Sequence, residues 1–592
     1  MTRFLIRIRC HPEGEELPKH LGSKRVFPGC ADRSCAYKRP QEHPGGMEMM
    51  KRVLTALFFC VAACSISLHL GQDTTFDLKS YHLYNAWAVL TGRWSHDVFV
   101  AGAQTFFSPF IDAPYYIVAT TLLPAHGVAV VAFAGIPYGI LLYLIYLISR
   151  RIGGALQFDA RWERTTFVAA SVLLAGTGAA TWSQIGLTSN DVTVAAIVLA
   201  SFYQILSGLT DHDEEPLSFR KVAVAGALLG LATGLKLTAA IYVPSIAVVI
   251  FFIERGWKSK VRSLFVYGCC TLAAFAIAYG PWGWKLYKLT GNPFFPLFNG
   301  VFHSDWMASI SIRDVRFLPK SLLQWLFYPF YWTNLQSSWV TEVPFRDVRL
   351  ALAYVFVVGY VVVALISRDL RTKFLFGKYK AIHALVLFIA FSYILWMHEF
   401  SILRYLVAVE CLASLFVVVS LMVLAQKLRH LSVWFPAIGT TLAVGFIVAF
   451  TVSPPWGRAP AGMDILAMQA PGFEHGALVI FADVPMSFLA PGLAATGQDL
   501  RFMTIPRDFS SSGGQLGADG FRHELGRRMK VQIHEHREAL YVLFYKSDAR
   551  PESSLAAFNV QIDMSSCQTG KSPLEREFLA CRGIYREEQP SG

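Results

Sequence analysis

The sequence predicts an α-helical polytopic membrane protein of about eleven transmembrane helices, followed by a small C-terminal α/β domain. Two observations carry this prediction. Hydrophobic residues make up 54% of the 592 residues and charged residues only 16%, whereas soluble domains average about 45–50% and about 25%. Apolar runs of roughly the 20 residues that cross a bilayer also recur along the first three quarters of the chain.

The net charge of +12 indicates membrane topology rather than a nucleic-acid partner. Lys and Arg collect in the cytoplasmic loops of membrane proteins, and the chain has no basic, aromatic-interleaved soluble module. We therefore expect no nucleic acid as partner. The cysteine spacings are not typical of a metal site, so the sequence predicts no metal ligands and no certain cofactor, and it leaves a divalent metal open.

Residues 1–46 are basic, rich in Pro and Gly and without periodicity, which predicts a disordered tail or an extended start. The transmembrane domain is predicted over 47–452. Lys51 and Arg52 place the N-terminus in the cytoplasm, so the first span emerges on the outer side. Spans are predicted near 53–70, 128–148, 166–182, 192–208, 222–235, 238–253, 263–280, 350–366, 381–396, 405–425 and 433–451.

The outer surface loop 71–126 is the unusual part of this domain. It crowds acidic and basic residues among aromatic ones, and each charge costs about 3 kcal/mol in hydrocarbon. Yet Phe106–Phe110 and Tyr115–Leu123 are too apolar for a freely solvated loop. We expect short helices on the membrane surface with acidic groups facing a cavity. A second outer segment begins at Pro281, and its Gly-Asn-Pro and Phe-Pro sequences predict a sharp turn over 281–299.

Residues 453–592 are predicted to form a soluble periplasmic α/β domain, since eleven spans place them outside. ALVIFADV, RFMTIP and ALYVLFYKS are typical of strands, and FRHELGRRMK has helical spacing. No nucleotide-binding glycine pattern occurs in the chain. Cys567 and Cys581 are the two cysteines of this segment, and they can pair if it lies outside the cytoplasm.

Three outer carboxylates are candidates for chemistry. Asp77 and Asp73 follow the first span closely and therefore lie near the membrane surface, and Asp191, in the sequence SND, begins the fourth span. Each also suits an ordinary structural role: Asp77 and Asp191 are placed to cap a helix N-terminus. Lys79 and His82 are expected to support the site, His82 as a structural hydrogen-bonding group.

Cationic candidates lie at other outer ends of the spans. Lys236 interrupts the apolar stretch LATGLKLTAAIY, and its side chain either extends to the interface or meets a phosphate. Arg404, followed by Tyr405, offers the planar bidentate contact that suits phosphate. The alternative for Arg404 is an ion pair with Glu399 or Glu410.

One span, an outer loop with an early Asp, and later loops carrying Asp191, GNPFFP and Arg404-Tyr405 resemble the GT-C superfamily of integral-membrane glycosyltransferases. The sequence is most similar to bacterial relatives of dolichyl-phosphate-mannose protein mannosyltransferases and of lipid A aminoarabinose transferase, over roughly residues 50–450. The resemblance implies a GT-C-like fold in the bacterial inner membrane, with the chemistry on the periplasmic side.

The resemblance also implies the reaction and the residues that perform it. A sugar would pass, with inversion, from a polyprenyl-phosphate donor to a glycan, lipid or protein acceptor. Asp77, or Asp73, would be the catalytic carboxylate and Asp191 the acidic residue of the second outer loop, while Lys236, Arg404 and Tyr405 would hold the donor phosphate. The Asp-Glu pair of protein mannosyltransferases is absent, which favours a glycan or glycolipid acceptor.

Two other functional classes stay open. A polymerase or ligase of O-antigen-type glycans would depend on outer-loop Arg and His residues more than on Asp77. A transporter or flippase would need ionisable residues in mid-span and a repeat of spans. Glu410 is the main residue of that kind, about a turn and a half inside the tenth span.

Overall fold

The computed structural model describes residues 44–156, 158–209, 216–311, 313–335, 337–366, 379–505, 524–546, 551–572 and 574–586. The predicted tail at 1–46 lies almost wholly outside these residues. The chain divides after Arg52 into two units. Apart from the first turns of the helix that begins at Pro44, everything described below belongs to the second unit, Val53–Gly592.

Helices are the main elements of the described residues up to 450. They are α1 (Pro44–Leu70), α2 (Leu83–Leu90), α3 (Ala113–Ile117), α4 (Gly127–Ala134), α5 (Ile136–Gly153), α6 (Arg161–Gly176), α7 (Ala179–Ser183), α8 (Asp191–Ser207), α9 (Phe219–Leu235), α10 (Tyr242–Ile253), α11 (Trp257–Thr290), α12 (Asn299–Phe302), α13 (Leu322–Phe327), α14 (Arg349–Ile366), α15 (Lys380–Glu399), α16 (Val407–Lys427) and α17 (Phe435–Phe450). Short π- and 3₁₀-turns lie between them, including Leu78–His82, Leu237–Ile241 and Leu403–Leu406.

Six segments of the described chain are long and apolar enough to cross a membrane. They are Gly46–Leu70, Gly127–Gly153, Trp257–Thr290, Arg349–Ile366, Lys380–Glu399 and Leu403–Lys427, and α8, Leu237–Ile253 and α17 are shorter apolar helices. Every predicted span falls on helical residues, but 128–148 covers both α4 and α5, and 166–182 covers both α6 and α7. The prediction of a multi-span helical membrane protein with a small C-terminal sheet domain is confirmed, while the count of eleven spans stays a prediction.

The seventh predicted span differs from the helix observed. Helix α11 continues ten residues past 280, with Pro281 inside it, and ends at Thr290 where Gly291 adopts a φ of +75°. The predicted turn therefore begins at Gly291. The helix continues because its last turns have partners: Trp282 is buried, and its Nε1 donates a hydrogen bond of 2.9 Å to the carbonyl of Phe106 in the outer loop.

Close helix packing in the membrane region depends on small residues. A methyl group added at Gly230 of α9 would lie 2.1 Å from the carbonyl oxygen of Thr271 in α11, and one added at Gly226 would lie 2.5 Å from that of Tyr267. Interfaces of this kind let helix backbones approach each other where no hydrophobic effect drives association. The pair α9 and α11 is consequently held together by backbone proximity.

Glu410 of α16 has a structural role in this packing. Its carboxylate accepts hydrogen bonds from the amides of Ala180 and Thr181 at 2.9 and 2.8 Å, and from the Thr181 hydroxyl at 2.6 Å. Asp347, which pairs with Arg349, accepts the amide of Ala179 at 3.0 Å. The two carboxylates therefore satisfy the first amides of α7, where a negative charge also favours the helix dipole.

The C-terminal domain is built on a five-stranded sheet of order β4-β3-β5-β7-β6. Its strands are β3 (Leu478–Phe481), β4 (Arg501–Thr504), β5 (Leu540–Tyr545), β6 (Val560–Ser572) and β7 (Glu575–Tyr585), and its helices are α18 (Leu489–Ala494), α19 (Glu524–Glu535) and α20 (Glu552–Ala556). Strands β3, β4 and β5 are parallel, and the hairpin β6–β7 joins antiparallel. The sequence predicts the first three strands but not the hairpin, whose first strand is largely polar.

Cys567 of β6 and Cys581 of β7 are joined by a disulfide bond. The bond links the two strands of the hairpin at the edge of the sheet, and Cys581 is fully buried. The pairing that the sequence leaves open is therefore present in the structure.

The outer loop and the C-terminal sheet share one hydrophobic core. This core joins loop residues such as Leu78 and Phe106 to sheet residues such as Val479 and Phe502. The backbones also pair: β1 (Gln72–Asp73) is antiparallel to β2 (Arg458–Ala459). Because apolar burial contributes about 25 cal/mol per Å², the loop gains its order from the sheet that covers it.

The predicted domain boundaries, with a transmembrane domain over 47–452 and a C-terminal domain over 453–592, stay predictions.

We expect substitution of Glu410 by Ala to destabilise the fold, because three buried donors lose their acceptor. The cost is about 3–5 kcal/mol for removing one partner of a buried charged set. It is measured as a lower melting temperature of the detergent-solubilised protein. Ser414→Ala, which removes a buried hydroxyl without a hydrogen-bond partner in the described chain one turn along α16, is the matched control. A Glu410→Ala protein that melts with the wild type contradicts this account.

Candidate functional site

Asp77 forms an ion pair with Arg404. Asp77 immediately precedes the π-turn Leu78–His82, and its side chain makes no hydrogen bond to the amides of that turn. The carboxylate instead contacts the guanidinium of Arg404, which lies in the 3₁₀-turn before α16. The alternative role of Asp77 as a helix cap is thus not observed, because its carboxylate pairs with Arg404 instead of the amides of its own turn.

Asp191 and Lys236 form a second ion pair beside the first. Asp191 is the first residue of α8, and its carboxylate contacts the ammonium group of Lys236, which lies where α9 ends. Lys236 also donates to the carbonyl of Ser189 at 2.7 Å. Arg404 Nε lies 3.9 Å from Asp191 Oδ2, an oxygen without a hydrogen bond in the described chain. Asp77, Arg404, Asp191 and Lys236 therefore make one group, called the four-charge cluster below.

Tyr405 packs against both cations of the four-charge cluster. Its ring centroid lies 5.2 Å from Lys236 Nζ and 5.4 Å from Arg404 Cζ. A cation over an aromatic face gains about 0.5–2 kcal/mol. The carbonyl of Tyr405 accepts a 2.8 Å hydrogen bond from Tyr242 of α10, which fixes this residue relative to the bundle.

Opposing influences act on the ionisation of Asp77. Burial raises its pKa, but the positive charges of Arg404, His82 and Lys236 and the hydrogen bond from Arg404 outweigh burial, and the net pKa lies below the usual value. Asp77 is therefore a carboxylate at neutral pH. Its basicity depends on whether Arg404 stays paired with it, since loss of that pair leaves burial as the main influence.

A buried polar network adjoins the cluster. His82 Nδ1 and Asp112 Oδ1 are hydrogen bonded at 2.7 Å, and the amide nitrogen of Asn190 donates to the same oxygen at 2.7 Å. Burial raises the pKa of Asp112, opposed by the neighbouring His82. His82 Nε2 has no hydrogen-bond partner among the described residues. Sequence reasoning misses Asp112 and Asn190 as site residues, although Asn190 belongs to the SND triplet.

Two of the expected site residues lie outside the four-charge cluster. Asp73 is buried in β1, where its carboxylate accepts bonds of 2.8 Å from the amide and hydroxyl of Thr188 and one of 2.7 Å from the amide of Thr75. Lys79 pairs with Glu575 of strand β7. The structure thus brings together Asp77, Asp191, Lys236, Arg404 and Tyr405, with His82 in the network beside them.

The four-charge cluster lies at the ends of membrane-spanning segments. Asp77 is seven residues beyond the end of α1 at Leu70, and Arg404 is the second residue of the apolar segment Leu403–Lys427. The side chains of Arg404 and Asp77 are 27% and 15% exposed, whereas that of Asp191 is 3% exposed. Two cations and the Asp77 carboxylate are accordingly held partly exposed beside the buried Asp191, at the ends of apolar helices. The described residues contain no group of three or more His, Cys, Asp or Glu placed to hold a metal ion.

Known proteins can now be compared with this arrangement. Residues 106–303, about a third of the chain, match the model of Glycosyltransferase family 87. No curated protein matches the sequence. Similar solved structures include ArnT from Cupriavidus metallidurans bound to undecaprenyl phosphate, with a TM-score of 0.46 and 14% identity over 90% of this chain and 98% of that chain. Another is the oligosaccharyltransferase of Archaeoglobus fulgidus in the apo form, with a TM-score of 0.44 and 13% identity over 83% of this chain and 69% of that chain.

The family match confirms the predicted resemblance to integral-membrane glycosyltransferases of the GT-C superfamily. The matched segment begins in the outer loop and contains both Asp191 and Lys236. One of the two ion pairs of the four-charge cluster therefore lies within the segment that matches this family model.

Proposed function

We propose that this protein transfers a sugar from a polyprenyl-phosphate donor to an acceptor on the periplasmic face of the bacterial inner membrane. The observation that carries the proposal is the four-charge cluster, which holds two cations and two carboxylates at the outer ends of apolar spans. A lipid phosphate lies at this depth, and its sugar reaches the aqueous side. The acceptor is a glycan, lipid or protein that carries a free hydroxyl or amine.

Arg404 and Lys236 hold the donor phosphate in this proposal. A phosphate oxygen that leaves the sugar gains negative charge, and fixed cations in a partly buried place stabilise that charge. Arg404 supplies parallel N–H groups that match phosphate, and Lys236 supplies a compact ammonium group. The ring of Tyr405 lies against both side chains and restricts their orientation.

Asp77 is the general base. Its carboxylate takes the proton of the acceptor as the acceptor oxygen or nitrogen attacks the anomeric carbon of the sugar, and the bond from that carbon to the phosphate oxygen breaks. When Arg404 turns toward the donor phosphate, its hold on Asp77 weakens, and burial then raises the pKa of Asp77 toward that of a useful base. Asp191 holds Lys236 in place through their ion pair.

The C-terminal sheet domain lies on the periplasmic side in this proposal. Support comes from the disulfide between Cys567 and Cys581, because such bonds form in oxidising compartments and are rare in the bacterial cytoplasm. The basic loops also support this placement, because the positive-inside rule assigns them to the cytoplasmic face, opposite the C-terminal domain.

Asp77→Asn tests the proposal directly. We expect the rate of transfer from a polyprenyl-phosphate sugar in proteoliposomes to fall by about 10²–10⁴, the usual contribution of a positioned base. The amide keeps the size of the side chain, so donor binding should be less affected. Asp464→Asn, an exposed carboxylate bonded to the amide of Leu466 at 3.0 Å, is the control. Near-normal transfer by the Asp77→Asn protein excludes this mechanism.

The pH profile tests the charge coupling between Asp77 and Arg404. A base must be deprotonated, so kcat/KM, which reports the free enzyme in which Arg404 is paired with Asp77, falls as pH falls through the pKa of Asp77, which Arg404 holds below its usual value. In Arg404→Gln only burial and the weaker charges remain, and we expect the acid limb of kcat/KM, normalised to its own maximum, to move to higher pH. Arg537→Gln, at an exposed arginine of the C-terminal domain, should leave the limb in place. A limb that stays unchanged in the Arg404→Gln protein contradicts the coupling.

A reporter fused after Arg458 tests the topology. Alkaline phosphatase placed there should be active, because it requires the oxidising periplasm, and a cytoplasmic reporter such as β-galactosidase should be inactive. An inactive phosphatase together with an active β-galactosidase would place the C-terminal domain in the cytoplasm and contradict the prediction of eleven spans.

A further inference from the structure

The turn that follows Asp77 is held from outside by the C-terminal domain. Leu78–His82 is a π-turn, in which the amide of Leu83 reaches the carbonyl of Leu78. A π-turn accommodates one residue more than an α-helical turn; such turns are rare and are frequently found at functional sites. Its geometry is favoured only where surrounding contacts support it, so the donors and charges that meet this turn determine how Asp77 is presented.

Ser487 and Phe488 supply those donors. The hydroxyl of Ser487 donates to the carbonyl of Lys79 at 3.1 Å and also contacts that of Ser80, and the amide of Phe488 donates to the Lys79 carbonyl at 3.1 Å. Ser487 is 2% exposed, so water does not replace a lost hydroxyl easily. These bonds reach the backbone two and three residues beyond Asp77.

Glu575 provides a second, independent contact to the same turn. Its carboxylate pairs with the ammonium group of Lys79, and the two side chains are 21% and 12% exposed. Glu575 begins strand β7, whereas Ser487 precedes α18. Two segments that lie far apart in sequence therefore converge on the first turn after the proposed base.

The rest of the outer loop is fixed by the same domain. The amide of Phe502 donates to Asp97 at 3.1 Å, and the hydroxyl of Thr504 donates to the carbonyl of Val100 at 2.5 Å. Leu78 itself is fully buried in the core shared with the sheet. The π-turn is thus supported on one side by the membrane helices, through Arg404, and on the other by the C-terminal domain.

We propose that Ser487 and Glu575 are positioning residues, through which the C-terminal domain holds Asp77 against Arg404. The inference rests on the proposed function of Asp77. Ser487 acts through the backbone of Lys79 and Ser80, and Glu575 acts through the side chain of Lys79. Because a displacement of about 1 Å at a reacting group costs about 10² in rate, a looser turn lowers turnover while donor binding by Arg404 and Lys236 is retained.

Transfer kinetics with Ser487→Ala test the inference. We expect kcat to fall about 10- to 100-fold, with KM for the polyprenyl-phosphate sugar within about two-fold of wild type, and Ser487→Thr to restore most of the loss because it keeps the hydroxyl. Thr496→Ala removes a hydroxyl of the same domain that bonds Leu493 and serves as the control. An unchanged kcat in the Ser487→Ala protein, or a loss that appears only in KM, overturns the inference.

A charge exchange tests the second contact. Lys79→Glu and Glu575→Lys should each lower kcat, because each places two like charges together, and the double variant should recover it. A double variant that is no better than either single one shows that the pair does not position the turn.

Hydrogen exchange separates this inference from the proposed function. The amides of residues 78–90 should exchange faster in the full-length Ser487→Ala protein, while those of β5 stay as protected as in wild type. That readout needs no sugar transfer. Faster exchange together with full activity of Asp77→Asn would defeat the catalytic role of Asp77 and leave the support of the turn standing, whereas unchanged exchange would overturn the support itself.

Discussion

A charge at the edge of hydrocarbon must have a partner, and this requirement determines how the loop after α1 is joined to the ends of the apolar helices. An isolated charge costs several kcal/mol there, so Asp77 and Asp191 are stable only with Arg404 and Lys236 beside them. The four side chains come from the loop after α1, the start of α8, the end of α9 and the turn before α16. Pairing them fixes the relative positions of four helices at one place.

The same requirement explains the buried acids deeper in the bundle. Glu410 and Asp347 have the amides of α7 as partners, and Asp347 also has Arg349. Both carboxylates bind the amides of a short helix. The ionisable residue Glu410, although it lies in a span, therefore has a structural role in helix packing. The four-charge cluster differs because Asp77, Arg404 and Lys236 remain partly exposed and Asp191 Oδ2 has no hydrogen bond within the described chain.

Much of this arrangement could be predicted from the sequence, since hydropathy and basic loops reveal spans one at a time. The positions of Asp77, Asp191, Lys236 and Arg404 at outer span ends follow from the same reasoning. The sequence does not show which of the two carboxylates joins the cluster, because Asp73 and Asp77 are only four residues apart. Only the tertiary contact with Thr188 shows that the Asp73 carboxylate is bonded outside the cluster. The hairpin β6–β7 and the extension of α11 were not predicted for a similar reason, since both are stabilised by residues distant in sequence. The hairpin, whose first strand is polar, pairs with β5, and the Pro-containing end of α11 bonds to Phe106.

The shared core of the outer loop and the sheet has a consequence for biogenesis. Chains are made from the N-terminus, and domains generally fold in that order. Here the turn after Asp77 is complete only when the segments around Ser487 and Glu575 have been synthesised and folded onto it. A ribosome must therefore finish nearly the whole chain before this early loop can complete its fold, so truncated or stalled products are left with the turn after Asp77 unsupported.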